Sequence, residues 1–79
     1  MDPAAEAVAK AAAAEAVDFE LQKKYNAAFF QYTRAIRLFL EIARDDSSVT
    51  DARRMAERCL ERAKRLRDAG RVPLSLIHI

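Results

Sequence analysis

Residues that interrupt helices are scarce in this chain. Its 79 residues include one glycine and two prolines, and neither type occurs between positions 4 and 69. This scarcity excludes a collagen-like chain, Pro/Gly-driven disorder and the glycine-rich loops that bind phosphate groups. Alanine is abundant instead, and 33% of the residues are charged. The composition therefore predicts one small all-α domain.

Residues that bind metals or act as nucleophiles are almost absent. The sequence contains one cysteine, Cys59, and one histidine, His78. An internal disulfide is therefore impossible, and one Cys with one His cannot assemble a metal site. Cys59 falls inside a helical segment at a core position, where we expect a small buried side chain. We also expect no enzymatic activity, no cofactor and no small-molecule substrate.

Long apolar runs are missing as well. No stretch approaches the roughly 20 apolar residues that a membrane-spanning helix needs. The acidic residues Asp2 and Glu6, and the alanines that follow them, are unlike a secretory signal peptide. We therefore expect a cytoplasmic protein that contacts membranes only indirectly.

The hydrophobic pattern predicts two helices in the first half of the chain. Asp2 followed by Pro3 is typical of a helix start, and strong helix formers continue over 3–23. From Tyr25 onward, apolar residues recur at i, i+3, i+4 and i+7. This recurrence predicts a second helix near 26–44.

The apolar pattern continues through the junction of these two helices without a break. Periodicity alone therefore also permits one helix over 3–44. A helix of that length normally needs a heptad seam or a membrane, and the chain has neither. We expect a short turn near residues 24–26.

A third helix is predicted near 49–69. Ser48 and Asp51 have the spacing of a capping box, and the single glycine follows where the helix should end. Residues 71–79 are apolar and β-prone, unlike the amphipathic helices. We expect residues 1–70 to form the domain, and the remainder to be a disordered tail or an unrelated remnant.

Positive charge is concentrated on the third helix. The net charge of the chain is +2, yet residues 51–71 hold eight basic and four acidic side chains. One stripe has the spacing to follow phosphate groups, and it comprises Arg54, Arg58, Arg62 and Arg65. Acidic residues interleave with the stripe, which favours a solvated charged face and makes nucleic acid an unexpected partner. Binding of the stripe to microtubules or to anionic membrane is a weaker alternative.

Three segments together resemble the MIT domain, the microtubule-interacting and trafficking module. They are Ala16-Val17-Asp18-Phe19-Glu20, Tyr25-x-x-Ala28-Phe29-x-x-Tyr32-x-x-Ala35-Ile36-x-x-Phe39, and Leu60-Glu61-Arg62-Ala63-Lys64-Arg65-Leu66. The likeness covers residues 4–69 and implies an antiparallel three-helix bundle with a turn just before the first tyrosine. The middle segment is also similar to a tetratricopeptide helix. A fragment of such a repeat scaffold, which needs further repeats to bury its faces, is the alternative.

The apolar pattern of the second helix independently predicts grooves. Its large apolar residues cover more of the helix than the single stripe needed to pack on one neighbour. The second helix should therefore be central, with apolar surface left over for the helix of a partner. The alanine-rich first helix offers a low wall that suits an extended peptide.

The resemblance implies a partner for two grooves, namely the C-terminal tails of ESCRT-III proteins. Helical tail motifs would lie between helices two and three, at Leu40, Ala56, Leu60, Glu61 and Lys64. Extended tail motifs would lie between helices one and three, at Ala9, Ala13, Ala16 and Val17. The domain would act as a monomeric adaptor in protein transport, recruiting its host protein to endosomal or division-site membranes.

Two residues depart from the family pattern. Lys24 occupies a position where Gly or Asn is common, and Lys64 occupies one where an acidic residue is common. If that acidic residue pairs with a basic residue of a helical tail, Lys64 places like charge there and weakens the groove. The resemblance therefore implies a preference for extended motifs.

Overall fold

The computed structural model describes residues 3–45 and 50–72. These ranges contain three helices and no strand: α1 (Pro3–Leu21), α2 (Tyr25–Asp45) and α3 (Thr50–Asp68). α2 lies in the centre and packs along both α1 and α3. The predicted all-α three-helix bundle is therefore confirmed.

Several predicted features lie outside the described residues. They are the helix start at Asp2, the capping residue Ser48, and residues 73–79 with His78. In the part of the chain that is described, no helix combines the length and the apolar character needed to cross a membrane.

A turn separates α1 from α2, as the length argument predicts. It occupies residues 22–24, two positions before the predicted 24–26, and a continuous helix over 3–44 is wrong. Because the turn is only three residues long, the apolar phase of the sequence continues across it. Periodicity alone could not locate the turn.

α1 ends in a Schellman turn that is built on a residue other than glycine. The backbone N–H of Lys24 donates to the carbonyl of Phe19 at 2.8 Å, and that of Lys23 donates to Glu20 at 3.0 Å. Lys23 adopts a left-handed conformation with φ of 62°. Such a conformation costs a residue with a Cβ atom about 1–2 kcal/mol.

α3 ends in the same kind of turn, here with the predicted glycine. Gly70 has φ of 70°, and the N–H of Arg71 donates to the carbonyl of Leu66 at 3.0 Å. The chain then returns to the bundle, where Val72 is buried. The guanidinium carbon of Arg71 lies 4.9 Å from the centre of the Tyr25 ring, which is a cation–π contact. Two residues assigned to the tail from the sequence thus pack on the domain.

Small side chains form the inner faces of the two outer helices. The buried alanines there are Ala9, Ala12 and Ala16 of α1 and Ala52, Ala56 and Ala63 of α3. Most large buried side chains belong instead to the central helix, as Phe29, Tyr32, Phe39 and Ile42. Alanine lets each outer helix approach α2 closely, but it leaves the space beside the contact unfilled.

Replacing Lys23 by Gly should stabilise the bundle, because Gly adopts a positive φ without a Cβ clash. We expect a gain of about 1 kcal/mol in the free energy of unfolding, which raises Tm by about 4–8 °C in a domain of this size. Thermal unfolding followed by circular dichroism measures the change. Lys24→Gly is the matched control, because it removes the same side chain where φ is not positive. An equal rise in Tm for both variants would contradict strain at Lys23.

Candidate functional site

An apolar groove runs between α2 and α3, with a volume of about 380 Å³. It is lined by Phe29, Thr33, Ile36, Arg37 and Leu40 of α2 and by Leu60, Ala63, Lys64 and Arg67 of α3. Leu40 is 49% exposed and Leu60 is 42% exposed. The groove therefore presents large apolar side chains that no described part of the chain covers.

Helical spacing places the lining residues on one flank of each helix. On α3, Leu60, Lys64 and Arg67 recur at intervals of four and three residues, next to the buried face. On α2, Ile36 and Leu40 are separated by four residues and face the same space. Each flank therefore forms a continuous wall of the groove.

Three of the five residues predicted for this groove line it. They are Leu40, Leu60 and Lys64. Ala56 is only 2% exposed and belongs to the core, and Glu61 is exposed on α3 but is not among the lining residues. Six further lining residues were not predicted, namely Phe29, Thr33, Ile36, Arg37, Ala63 and Arg67. Helical spacing from Leu40 and from Lys64 would have found most of these.

A second groove of about 310 Å³ lies between α1 and α3 and is more polar. It is lined by Glu6, Lys10, Phe39, Asp51, Ala52, Arg54, Met55 and Arg58. Lys10 Nζ lies 3.1 Å from Glu6 Oε1 on the α1 wall. This groove therefore combines charges of both signs, and two arginines of the predicted stripe belong to it.

The four residues predicted for the α1/α3 groove fall into two pairs. Ala13 and Val17 are partly buried and continue the row of α1 that carries Glu6 and Lys10, but neither is among the residues that line the groove. Ala9 and Ala16 have no exposed surface and belong to the core. None of the four predicted residues therefore lines this groove, and peptide binding there stays a prediction.

A hydrogen-bonded junction joins the three helices at Tyr32. This tyrosine of α2 is 1% exposed, and its hydroxyl donates to Oε1 of Glu20 on α1 at 2.8 Å. The guanidinium of Arg62 on α3 lies close enough to this hydroxyl to interact with it electrostatically. Burial raises the pKa of Tyr32 to about 12, and Glu20 adds to the rise while Arg62 opposes it. One arginine of the stripe, which is itself exposed, therefore interacts with a buried group of the domain.

The only thiol lies in the core, and the prediction of a buried Cys59 is confirmed. Burial raises the pKa of Cys59, although Arg62 opposes the rise. A thiol held protonated in this way is a poor nucleophile. Among the residues described, no group of three or more His, Cys, Asp or Glu side chains is placed to hold a metal ion.

Comparison with known proteins identifies no relative of this chain. No family model matches the chain, and no curated protein and no solved structure shows significant similarity to it. The resemblance to the MIT domain therefore depends on the three sequence segments alone.

Leu60→Asp should leave the bundle folded, because Leu60 is 42% exposed and a carboxylate at this position reaches water. We expect a loss of about 1 kcal/mol from the apolar contact that is removed. Ala56→Asp is the matched variant on the same helix. It should unfold the domain, because burying an unpaired charge costs several kcal/mol against a total stability of about 5–15 kcal/mol. Thermal unfolding of both variants tests this contrast. Loss of the cooperative unfolding transition in Leu60→Asp would show that Leu60 belongs to the core.

The stability of the bundle should fall as pH rises from 10 to 12. Tyr32 loses its proton near pH 10 in the unfolded chain but only near pH 12 in the folded state. The folded state binds this proton more tightly, so the contribution of Tyr32 to the free energy of unfolding is complete below pH 10. This contribution is lost as the pH rises toward the folded-state pKa of about 12. Tyr32→Phe should remove this part of the pH dependence. Denaturant unfolding of both proteins at about pH 8, 10 and 11 measures it, and equal slopes would show that the hydroxyl is not held at the junction.

Proposed function

We propose that this domain is a protein-interaction module that binds the C-terminal tails of ESCRT-III proteins, as its resemblance to the MIT domain implies. The observation that carries the proposal is the apolar groove between α2 and α3. Leu40 and Leu60 remain about half exposed there, although such side chains favour burial. A helical tail would place its own apolar stripe against them.

The length of the groove suits a short helix. Its lining on α2 extends from Phe29 to Leu40, which corresponds to about 16 Å of helix. About three helical turns of a partner can therefore lie along it. Apolar residues at i, i+3, i+4 and i+7 of that partner would meet Ile36 and the two leucines.

The α1/α3 groove supports a second binding mode, for an extended tail. Ala13 and Val17 would extend the groove along α1 as a low wall, and the partly buried Met55 supplies apolar surface on α3. A low wall lets the backbone of an extended peptide come close. The charged residues of this groove, among them Lys10, would select the polar side chains of the tail.

In this proposal the domain has no chemistry of its own and acts by binding alone. Tail binding would recruit the host protein to endosomal or division-site membranes on which ESCRT-III assembles. Contact with the membrane itself would be indirect.

The arginine stripe supports a microtubule or anionic-membrane surface less well. Arg54 and Arg58 lie in a groove that also contains Asp51, and Arg62 is engaged with Tyr32. Binding through such a stripe would weaken steeply with salt. A tetratricopeptide fragment, by contrast, should be molten or oligomeric in isolation, whereas the proposed module should melt cooperatively as a monomer.

Calorimetric titration with ESCRT-III tail peptides of both motif types tests the proposal. The wild-type chain should bind at least one type. Leu60→Asp should abolish binding of helical motifs, because it places a carboxylate on the apolar surface of the groove. Binding of extended motifs should survive in this variant, because they would lie on the other flank of α3.

A folded Leu60→Asp protein that binds helical motifs as tightly as wild type would place the site elsewhere. If the wild-type chain binds neither motif type, the proposal is wrong.

A further inference from the structure

We infer that the α2/α3 groove selects amphipathic helices whose apolar stripe is flanked by carboxylates. The occupant is thus a partner of defined charge, an acidic amphipathic helix. This inference rests on the proposed function in one respect, namely that the groove receives a helix. It goes further by assigning the charge of that helix, and it disfavours helical segments with basic flanks.

The charge of the groove walls carries the inference. Three lining residues are cationic: Arg37 on α2, and Lys64 and Arg67 on α3. No carboxylate is among the lining residues in the described part of the chain. The α1/α3 groove differs, because Glu6 and Asp51 offset two of its three cations. Uniform positive charge is therefore a property of one groove and not of the whole surface.

Two of the three cations have no ion-pair partner within residues 3–45 and 50–72. Arg37 and Lys64 make no salt bridge there. Arg67 Nε lies 3.2 Å from Oδ1 of the neighbouring Asp68, an exposed pair that contributes little. A carboxylate from a partner can therefore pair with these side chains without breaking a buried contact.

The cations also lie where a bound helix would present its flanks. Ile36, Leu40 and Leu60 form the apolar surface, and the cations belong to both helices that border it. A helix seated on the apolar surface directs the residues beside its apolar stripe toward the two walls. Carboxylates at those positions would meet Arg37 on one side and Lys64 on the other, whereas lysines there would meet like charge.

Three peptides of one design test the inference. Each is acetylated and amidated and carries leucines at i, i+3, i+4 and i+7, with Glu, Gln or Lys at the positions that flank the stripe. Calorimetric titration with the full chain should give affinities in the order Glu, Gln, Lys. Single exposed ion pairs are weak, so we expect a difference of about tenfold between the Glu and Lys peptides. The difference should narrow as salt shortens the Debye length.

Reversing the charge of one groove residue should reduce the preference for the Glu peptide over the Lys peptide. Lys64→Glu should weaken the Glu peptide and strengthen the Lys peptide, each several-fold. Arg65→Glu is the matched control, because it makes the same change in net charge at the next residue of α3, which is exposed and does not line the groove. It should leave both affinities nearly unchanged.

Several outcomes would overturn the inference. Equal affinities for the three peptides, or a preference for the Lys peptide, would remove the charge selectivity. An effect of Arg65→Glu as large as that of Lys64→Glu would assign the preference to net charge and not to the groove. A dimer of the free chain that dissociates in Leu60→Asp would make a second copy the occupant, and sedimentation equilibrium measures this.

The inference and the proposed function fail separately. If ESCRT-III tails bind but the Glu and Lys peptides bind equally, the proposed function survives and the charge selectivity is wrong. If the Glu peptide binds through Leu60 and no ESCRT-III tail binds, the selectivity is supported and the proposed partner is wrong.

Discussion

Alanine forms most of the inner faces of the two outer helices, and the small size of this side chain shapes the surface of the whole bundle. α1 and α3 meet the central helix mainly through alanines, while most of the large buried side chains belong to α2. A small inner face lets a helix approach closely but cannot fill the space beside the contact. Both grooves follow from this difference in size. Leu40 and Leu60 border one groove, and Phe39 lies in the other.

α3 contributes a wall to both grooves, and the two walls differ in charge. One flank of α3 carries Lys64 and Arg67, and no acidic residue among those that the structure describes lines the groove beside them. The other flank carries Arg58 beside Asp51 and places Arg62 at the buried hydroxyl of a tyrosine. The two flanks of one helix can therefore differ in charge, because residues three and four positions apart share a flank and adjacent residues do not.

The C-terminal ends of α1 and α3 adopt the same backbone conformation for different reasons, one local and one tertiary. At the end of α3, Gly70 adopts the left-handed conformation that it favours, and the sequence predicted this helix end. At the end of α1, Lys23 adopts the same conformation against its preference. The pairing of α1 with α2 through a three-residue turn imposes this geometry. A turn with no glycine and no break in apolar phase is therefore hard to place from sequence.

Patterns in the amino-acid sequence predicted three helices, the central position of α2 and the burial of Cys59, because apolar periodicity and helix length are local properties. The placement of Leu60 and Lys64 in the groove came instead from the resemblance to the MIT domain. The solvent exposure of individual alanines depends on tertiary packing. Ala9 and Ala13 both lie on α1, but contact with neighbouring helices buries Ala9 completely and Ala13 only in part. It also decided the junction at Tyr32. The groups that meet there come from three helices, and only packing brings residues so distant in sequence together.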